Sequence, residues 1–163
     1  MKSLPERNKA REFKVGMKTG EAAAMRAELR ALADPEKARV LARFFKTGPG
    51  EYGFGDRFLG VVVPKIRKVV KEHRNASLGD ALQLLRSAFH EDRLAALLLL
   101  VEKYRRGDET QRKEIYALYL ANTTYINNWD LVDLTAQHIV GDYVCDRDPS
   151  VLTRLALSPC LWE

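Results

Sequence analysis

Glu91-Asp92-Arg93-Leu94-Ala95-Ala96-Leu97-Leu98-Leu99-Leu100-Val101-Glu102-Lys103 is the stretch that decides the fold class. Leu94–Val101 is the longest apolar run in the chain, and charged residues bracket it on both sides. It falls far short of the roughly 20 apolar residues that a membrane span requires. It therefore reads as a buried helix, with the surrounding pattern extending from His90 to Arg106. Upstream, Glu21 to Ala33 is rich in Ala, Glu, Arg and Leu, which are strong helix formers. Asp34 then caps a second helix, with Pro35 at its first position, running to about Lys46. Further helices are expected over Pro64–His73, Leu78–Arg86, Glu109–Ala121, Trp129–Tyr143 and Pro149–Leu157. Val61-Val62-Val63 is β-branched but ends at a proline, and no segment sustains the alternation of a strand. The predicted class is all-α. Successive helices joined by short polar turns suggest antiparallel pairs stacked side by side, as in HEAT-type solenoids with one concave face. No internal repeat is visible, so a plain helical bundle competes with that layout.

A chain of 163 residues, 46% hydrophobic and 30% charged, suits one globular domain with a sizeable core. The charged N-terminus lacks the apolar segment of a signal peptide. Only Cys145 and Cys160 are present, without metal-ligand spacing, so a reducing cytoplasm is the expected setting. A net charge of +5 biases encounters towards acidic partners such as nucleic acid. Residues 1–20 carry Lys2, Arg7, Lys9, Arg11, Lys14 and Lys18 and read as a flexible basic arm. Residues 21–163 form the helical domain.

The densest chemistry lies in Asn127-Asn128-Trp129-Asp130-Leu131-Val132-Asp133. Asparagine is a good N-cap, and an acid at position 130 suits the positive end of the helix macrodipole. Val132, Ala136, Ile139, Val140 and Tyr143 continue at helical spacing. Trp129 and Asp133 are four apart and share one face, where an indole and a carboxylate could grip a flat cation. The competing reading is a core tryptophan beside a solvated acid. Gly48-Pro-Gly-Glu-Tyr-Gly-Phe-Gly-Asp56 is a loop without the Lys-Ser/Thr ending of a P-loop. It either joins helices or lets the backbone approach a DNA strand. After Pro64, Lys65, Arg67, Lys68, Lys71 and Arg74 face the single acid Glu72 in number, with Arg67, Lys71 and Arg74 on one stripe. That stripe is either a solvated face or a track for DNA phosphates. His73, His90 and His138 are scattered, and His90-Glu91 lacks the second histidine of a zinc-protease motif, so no metal site is expected. Tyr116, Tyr119 and Tyr125 are read as core, with room for one of them to reach the concave face, and Cys145 as packing rather than a nucleophile.

These residues together resemble the DNA alkylation repair enzyme family, the AlkD-like DNA glycosylases. The matching text comprises Phe45–Val61, Val63-Pro-Lys-Ile-Arg67, Ser87-Ala-Phe-His-Glu-Asp-Arg93, Tyr116-Ala-Leu-Tyr119, Tyr125–Asp133 and Ile139-Val-Gly141, within roughly residues 30–163. Phe54 departs from the polar residue of that pattern. The resemblance implies a right-handed α-α superhelix of HEAT-like repeats with a basic concave face for double-stranded DNA. It also implies excision of positively charged N3- or N7-alkylated purines, without metal or cofactor, by a nucleoid-associated cytoplasmic enzyme of bacterial type. By motif match Trp129 contacts the damaged nucleotide and Asp133 is the catalytic carboxylate. Phe44 stands where some members carry an active-site tyrosine, and Arg67, Lys68 and Lys71 are the expected contacts to the DNA backbone. Family members continue past Leu161-Trp162-Glu163 with an arginine pair and further helices. The expectation is therefore a chain lacking its C-terminal repeats, with Pro159–Glu163 as the first turn of a cut helix and Trp162 unpartnered. Weaker activity would follow, together with self-association through the C-terminal face or fraying beyond about Asp148. The alternative is a non-catalytic helical-repeat module that binds DNA or protein.

Overall fold

The computed structural model describes residues 20–163, so the arm expected over residues 1–20 lies outside it except for Gly20. The first helix, α1 (Glu21–Ala31), buries Ala22, Met25 and Leu29, whose spacing puts them on one face. In α2 (Pro35–Phe44) the Asp34 carboxylate accepts from the backbone N–H groups of Glu36 and Lys37, as a good N-cap does. No residue of α2 is buried, although Phe45 directly after it is. α3 (Val63–Glu72) buries Ile66, Val69 and Val70 and leaves its basic residues outside. α4 (Leu78–Leu85) and α6 (Glu109–Leu120) each begin with a reciprocal capping box, Ser77 with Asp80 and Asp108 with Gln111. Between them α5 (His90–Arg106) is buried from His90 to Val101 on every face. A short helix α7 (Trp129–Asp133), a π-helical turn (Gln137–Gly141), α8 (Asp142–Val144) and α9 (Ser150–Ala156) complete the order. Among the described residues there is no strand, only one bridge between Arg57 and Phe89. No described helix is long and apolar enough to cross a membrane.

The directions of these helices place the site. Ile66 borders the same cleft as Leu94, Val70 the same as Leu98 and Val101, and Arg74 the same as Arg106. α3 and α5 therefore lie side by side and run the same way. On the other flank of α5, His90 bonds Asp130 and Tyr104 bonds Asp142. The run from α7 to α8 is thus also parallel to α5. α4 and α6 provide the return paths and pack behind, in contact with α5. One hydrophobic cluster extends from Ala22 to Val140 through all of them.

Several local features depart from the expected pattern. The helix predicted over Trp129–Tyr143 is interrupted after Asp133. The Thr135 hydroxyl donates to the Leu131 carbonyl, and the Thr135 N–H turns to Val132 instead, at 3.1 Å. A threonine bonded back in this way bends a helix, and the π-helical turn follows at once. Pro159–Glu163 is a non-helical turn rather than the start of a helix. Trp162 has a partner after all, with its ring 5.6 Å from that of Tyr52. Cys145, read as packing, is exposed, and of the three tyrosines Tyr125 is the exposed one.

Candidate active site

Four consecutive polar residues at the start of α5 are buried, and together they tie the surrounding segments to this helix. Glu91 accepts from three backbone N–H groups, Leu59 (2.8 Å), Gly60 (2.8 Å) and Val61 (3.1 Å). That pins the strand-like stretch before α3 against the positive end of α5. Gly60 has φ of 85°, and a Cβ there would sit 2.1 Å from the Asp34 carbonyl, so only glycine fits beneath the start of α2. Asp92 accepts from Arg30 of α1 and from the Ser87 hydroxyl. Arg93 bonds Asp56 at the end of the glycine-rich loop, and also the Ser87 carbonyl.

His90 stands between two acids. Its Nδ1 lies 3.0 Å from Asp56 Oδ2 and its Nε2 lies 2.8 Å from Asp130 Oδ2. Carboxylates only accept, so a ring that serves both must donate from both nitrogens and carry a charge. Burial alone would push the His90 pKa down, but the bonds to Asp130 and Asp56 outweigh it and hold the value above the ordinary 6.5. Burial likewise favours the neutral form of Asp56, yet His90 and Arg93 keep its carboxyl below the usual range. Within this His90–Arg93–Asp56–Asp130 cluster two acids face two cations.

Above this network lies an aromatic stack. The His90 ring stacks on Phe58 at 4.6 Å and leans on Phe45 at 5.1 Å. Phe45 in turn stacks on Trp129 at 5.4 Å, while Phe44 meets Trp129 edge-on at 6.0 Å. Asn128, fully buried, caps α7: its side chain accepts from the Trp129 N–H at 2.9 Å and donates to Asp56 at 3.3 Å. Trp129 emerges from this packing 37% exposed and Phe44 60% exposed. Trp129 is not a fully buried core residue: one side is stacked and the other is open. Asp133, one helical turn on, is exposed, and among the described residues its carboxylate takes no hydrogen bond or ion pair. An apolar cleft of about 300 Å³ under α2 borders Phe44, Phe45 and Phe58 and reaches His90 and Asp130.

The basic residues divide. Arg67 and Lys71 border one cleft with Arg105 and Arg106, between α3 and α5. Lys68 lies on the opposite flank of α3, facing α1, 3.9 Å from Glu72. The three expected backbone contacts therefore do not share one face, whereas Arg67 and Lys71 do. Among the described residues no group of three His, Cys, Asp or Glu side chains is placed to hold a metal ion.

Sequence reasoning had Trp129, Asp133 and Phe44 but missed His90, Asp56, Phe45 and Phe58. A signal existed for His90: the buried stripe Val101-Leu98-Leu94 extends back by four residues to position 90. Asp130 was read as a first-turn acid facing the macrodipole; the structure adds its bond to His90 and its burial. No curated protein and no solved structure was found to match the chain. The sequence profile of the DNA alkylation repair enzyme family matches residues 25–163, which takes in every side chain of the site just described. This chain belongs to the DNA alkylation repair enzyme family.

Proposed function

We propose that the protein is a DNA glycosylase that removes positively charged N3- or N7-alkylated purines from duplex DNA, on a right-handed superhelix of HEAT-like repeats. One observation carries the reading. An indole face, held from behind by Phe45, stands open beside a carboxylate that is unpaired among the described residues, one turn further along the same short helix. Alkylation at N3 or N7 gives the purine a positive charge, so it departs with the bonding electron pair as a neutral base and needs no general acid. The sugar left behind has oxocarbenium character, and an anion nearby lowers its energy. Asp133 supplies that anion. The buried charges of His90, Arg93, Asp56 and Asp130 cancel, so they do not oppose it. Water then adds at C1′ and gives up a proton to solvent.

Trp129, with Phe44 at its edge, contacts the damaged nucleotide, and a cation over an indole gains roughly 0.5–2 kcal/mol. Arg67 and Lys71 track phosphates, and Lys68 contacts the backbone only where the DNA passes the α1 side of α3. The test is release of free 7-methylguanine or 3-methyladenine from alkylated duplex DNA, with undamaged duplex as control. Release by the chain, lost in Asp133→Asn while duplex binding is kept, supports the reading. Tight duplex binding with no release would make the protein a non-catalytic binding module.

A further inference from the structure

His90 is a buried titratable group that the proposed chemistry does not use. It is 2% exposed and sits where three separate segments meet: the loop end at Asp56, the start of α5 and the start of α7. Through Asp130 it holds the first turn of α7, which carries Trp129. Through Phe45 it touches the face of Trp129 that is turned inward. Both links lead to the same indole.

We propose that His90 is a positioning residue, a buried imidazolium that donates to Asp56 and Asp130 at once and so fixes the tilt of Trp129 beside Asp133. The groups that face it are few. Asp56 approaches from the loop and Asp130 from α7, with Arg93 of its own helix on the far oxygen of Asp56. Glu91 is occupied with the N–H groups of residues 59–61. From α2 and α3 the residues bordering the same cleft are apolar, Leu41, Phe44, Val63, Pro64 and Ile66. When His90 loses its proton one ring nitrogen becomes an acceptor, and it then faces a carboxylate oxygen that cannot donate. One of the two anchors must open. Either opening frees the aromatic stack, because Asp130 leads directly into α7 and Asp56 is also bonded by Asn128, its cap.

The test uses Trp129 emission in a Trp162→Phe background, where Trp129 is the sole tryptophan. With His90 present, emission shifts to the red in a one-proton transition whose midpoint lies above the ordinary histidine value of 6.5. His90→Gln, which cannot donate from both ends, is red-shifted at every pH and shows no transition, while far-UV circular dichroism stays native. If that variant fails to fold, Asp130→Asn serves instead. It leaves an oxygen for His90 to bond but removes a charge, so the midpoint of the transition moves down. Emission that is flat from pH 6 to about 10, or a transition that persists in His90→Gln or keeps its midpoint in Asp130→Asn, overturns the proposal. The consequence for excision rests on the glycosylase reading: kcat falls about tenfold in His90→Gln with KM little changed, as for a small misplacement of a substrate contact. Because emission needs no DNA, a chain that titrates as described but releases no base upholds the role of His90 and refutes the glycosylase reading alone.

Discussion

Replacing Glu91 by glutamine removes one charge and one acceptor from a side chain that is fully committed. One carboxylate oxygen accepts from Gly60 and Val61, the other from Leu59 at 2.8 Å, all in the buried interior. The glutamine oxygen keeps the first two bonds, but as neutral ones. Hydrogen bonds to a charged group are worth about 1.5–3 kcal/mol net and neutral ones about 0.5–1.5. The amide NH₂ then faces the Leu59 N–H, leaving a buried donor unsatisfied at about 1–3 kcal/mol. The favourable placement of an acid at the first turn of α5 is lost as well. Burying a neutral amide costs less than burying a carboxylate, which offsets part of these losses and leaves a destabilisation of about 2–4 kcal/mol, with little change of side-chain volume. For a chain of this length that corresponds to a fall in Tm of roughly 5–15 °C. Thermal and urea unfolding followed by far-UV circular dichroism measure it, with exposed Glu114→Gln as the control expected within about 0.5 kcal/mol of the parent. A Glu91→Gln loss no larger than that of the control would refute the claim that this carboxylate ties the loop before α3 to α5.

Charge reversal at Arg67 and Lys71 should weaken duplex affinity and reduce the slope of log affinity against log salt by about 0.9 per lost phosphate contact. The same change at Lys68 should alter the slope less, since Lys68 faces α1, and equal slopes for all three would undo the division drawn above. His73, bonded by Glu21 at 2.6 Å and Glu28 at 2.7 Å, has a raised pKa, as has His90. A raised folded pKa adds stability that is complete below 6.5 and is lost as pH climbs through the folded value. Asp56, lowered from 3.8, contributes above that pH and loses its contribution on acidification. Tm should therefore be highest between 3.8 and 6.5 and decline on both sides, and a Tm that rises steadily from pH 6.5 to 9 would contradict this. Leu157 is 80% and Leu161 74% exposed, so we propose that the chain self-associates through this face. Light scattering should show mass rising with concentration, and a monodisperse monomer would rule it out.

The helices were legible because their signals are local. Asp34-Pro35, Ser77 with Asp80 and Asp108 with Gln111 are start signals that act within one turn, and α5 matched its predicted bounds. The break after Asp133 was not legible. It depends on Thr135 choosing the Leu131 carbonyl, with Tyr119 of α6 held against the same hydroxyl at 2.9 Å. The Tyr119 contact comes from another helix, and periodicity carries no trace of it. Trp129 and Asp133 could be singled out because their spacing sets them on one face. The network beneath them could not, because Asp56, His90 and Asp130 meet across 74 residues of chain. Charged residues beside an apolar run read naturally as a solvated helix end, and here they are interior.

The central claim is that the Asp133 carboxylate stabilises the sugar cation as the base departs. Single-turnover release of 7-methylguanine from alkylated duplex DNA, compared between the parent chain and Asp133→Asn, tests it most directly when duplex affinity is measured on the same samples. Asparagine matches the carboxylate in shape and removes only the charge, and loss of one electrostatic contact to a transition state typically costs on the order of 100- to 1000-fold. The account predicts a rate loss of that order with affinity equal or improved, since a negative charge has been taken away from a DNA-binding face. An Asp133→Asn variant that releases base at the parental rate would contradict it.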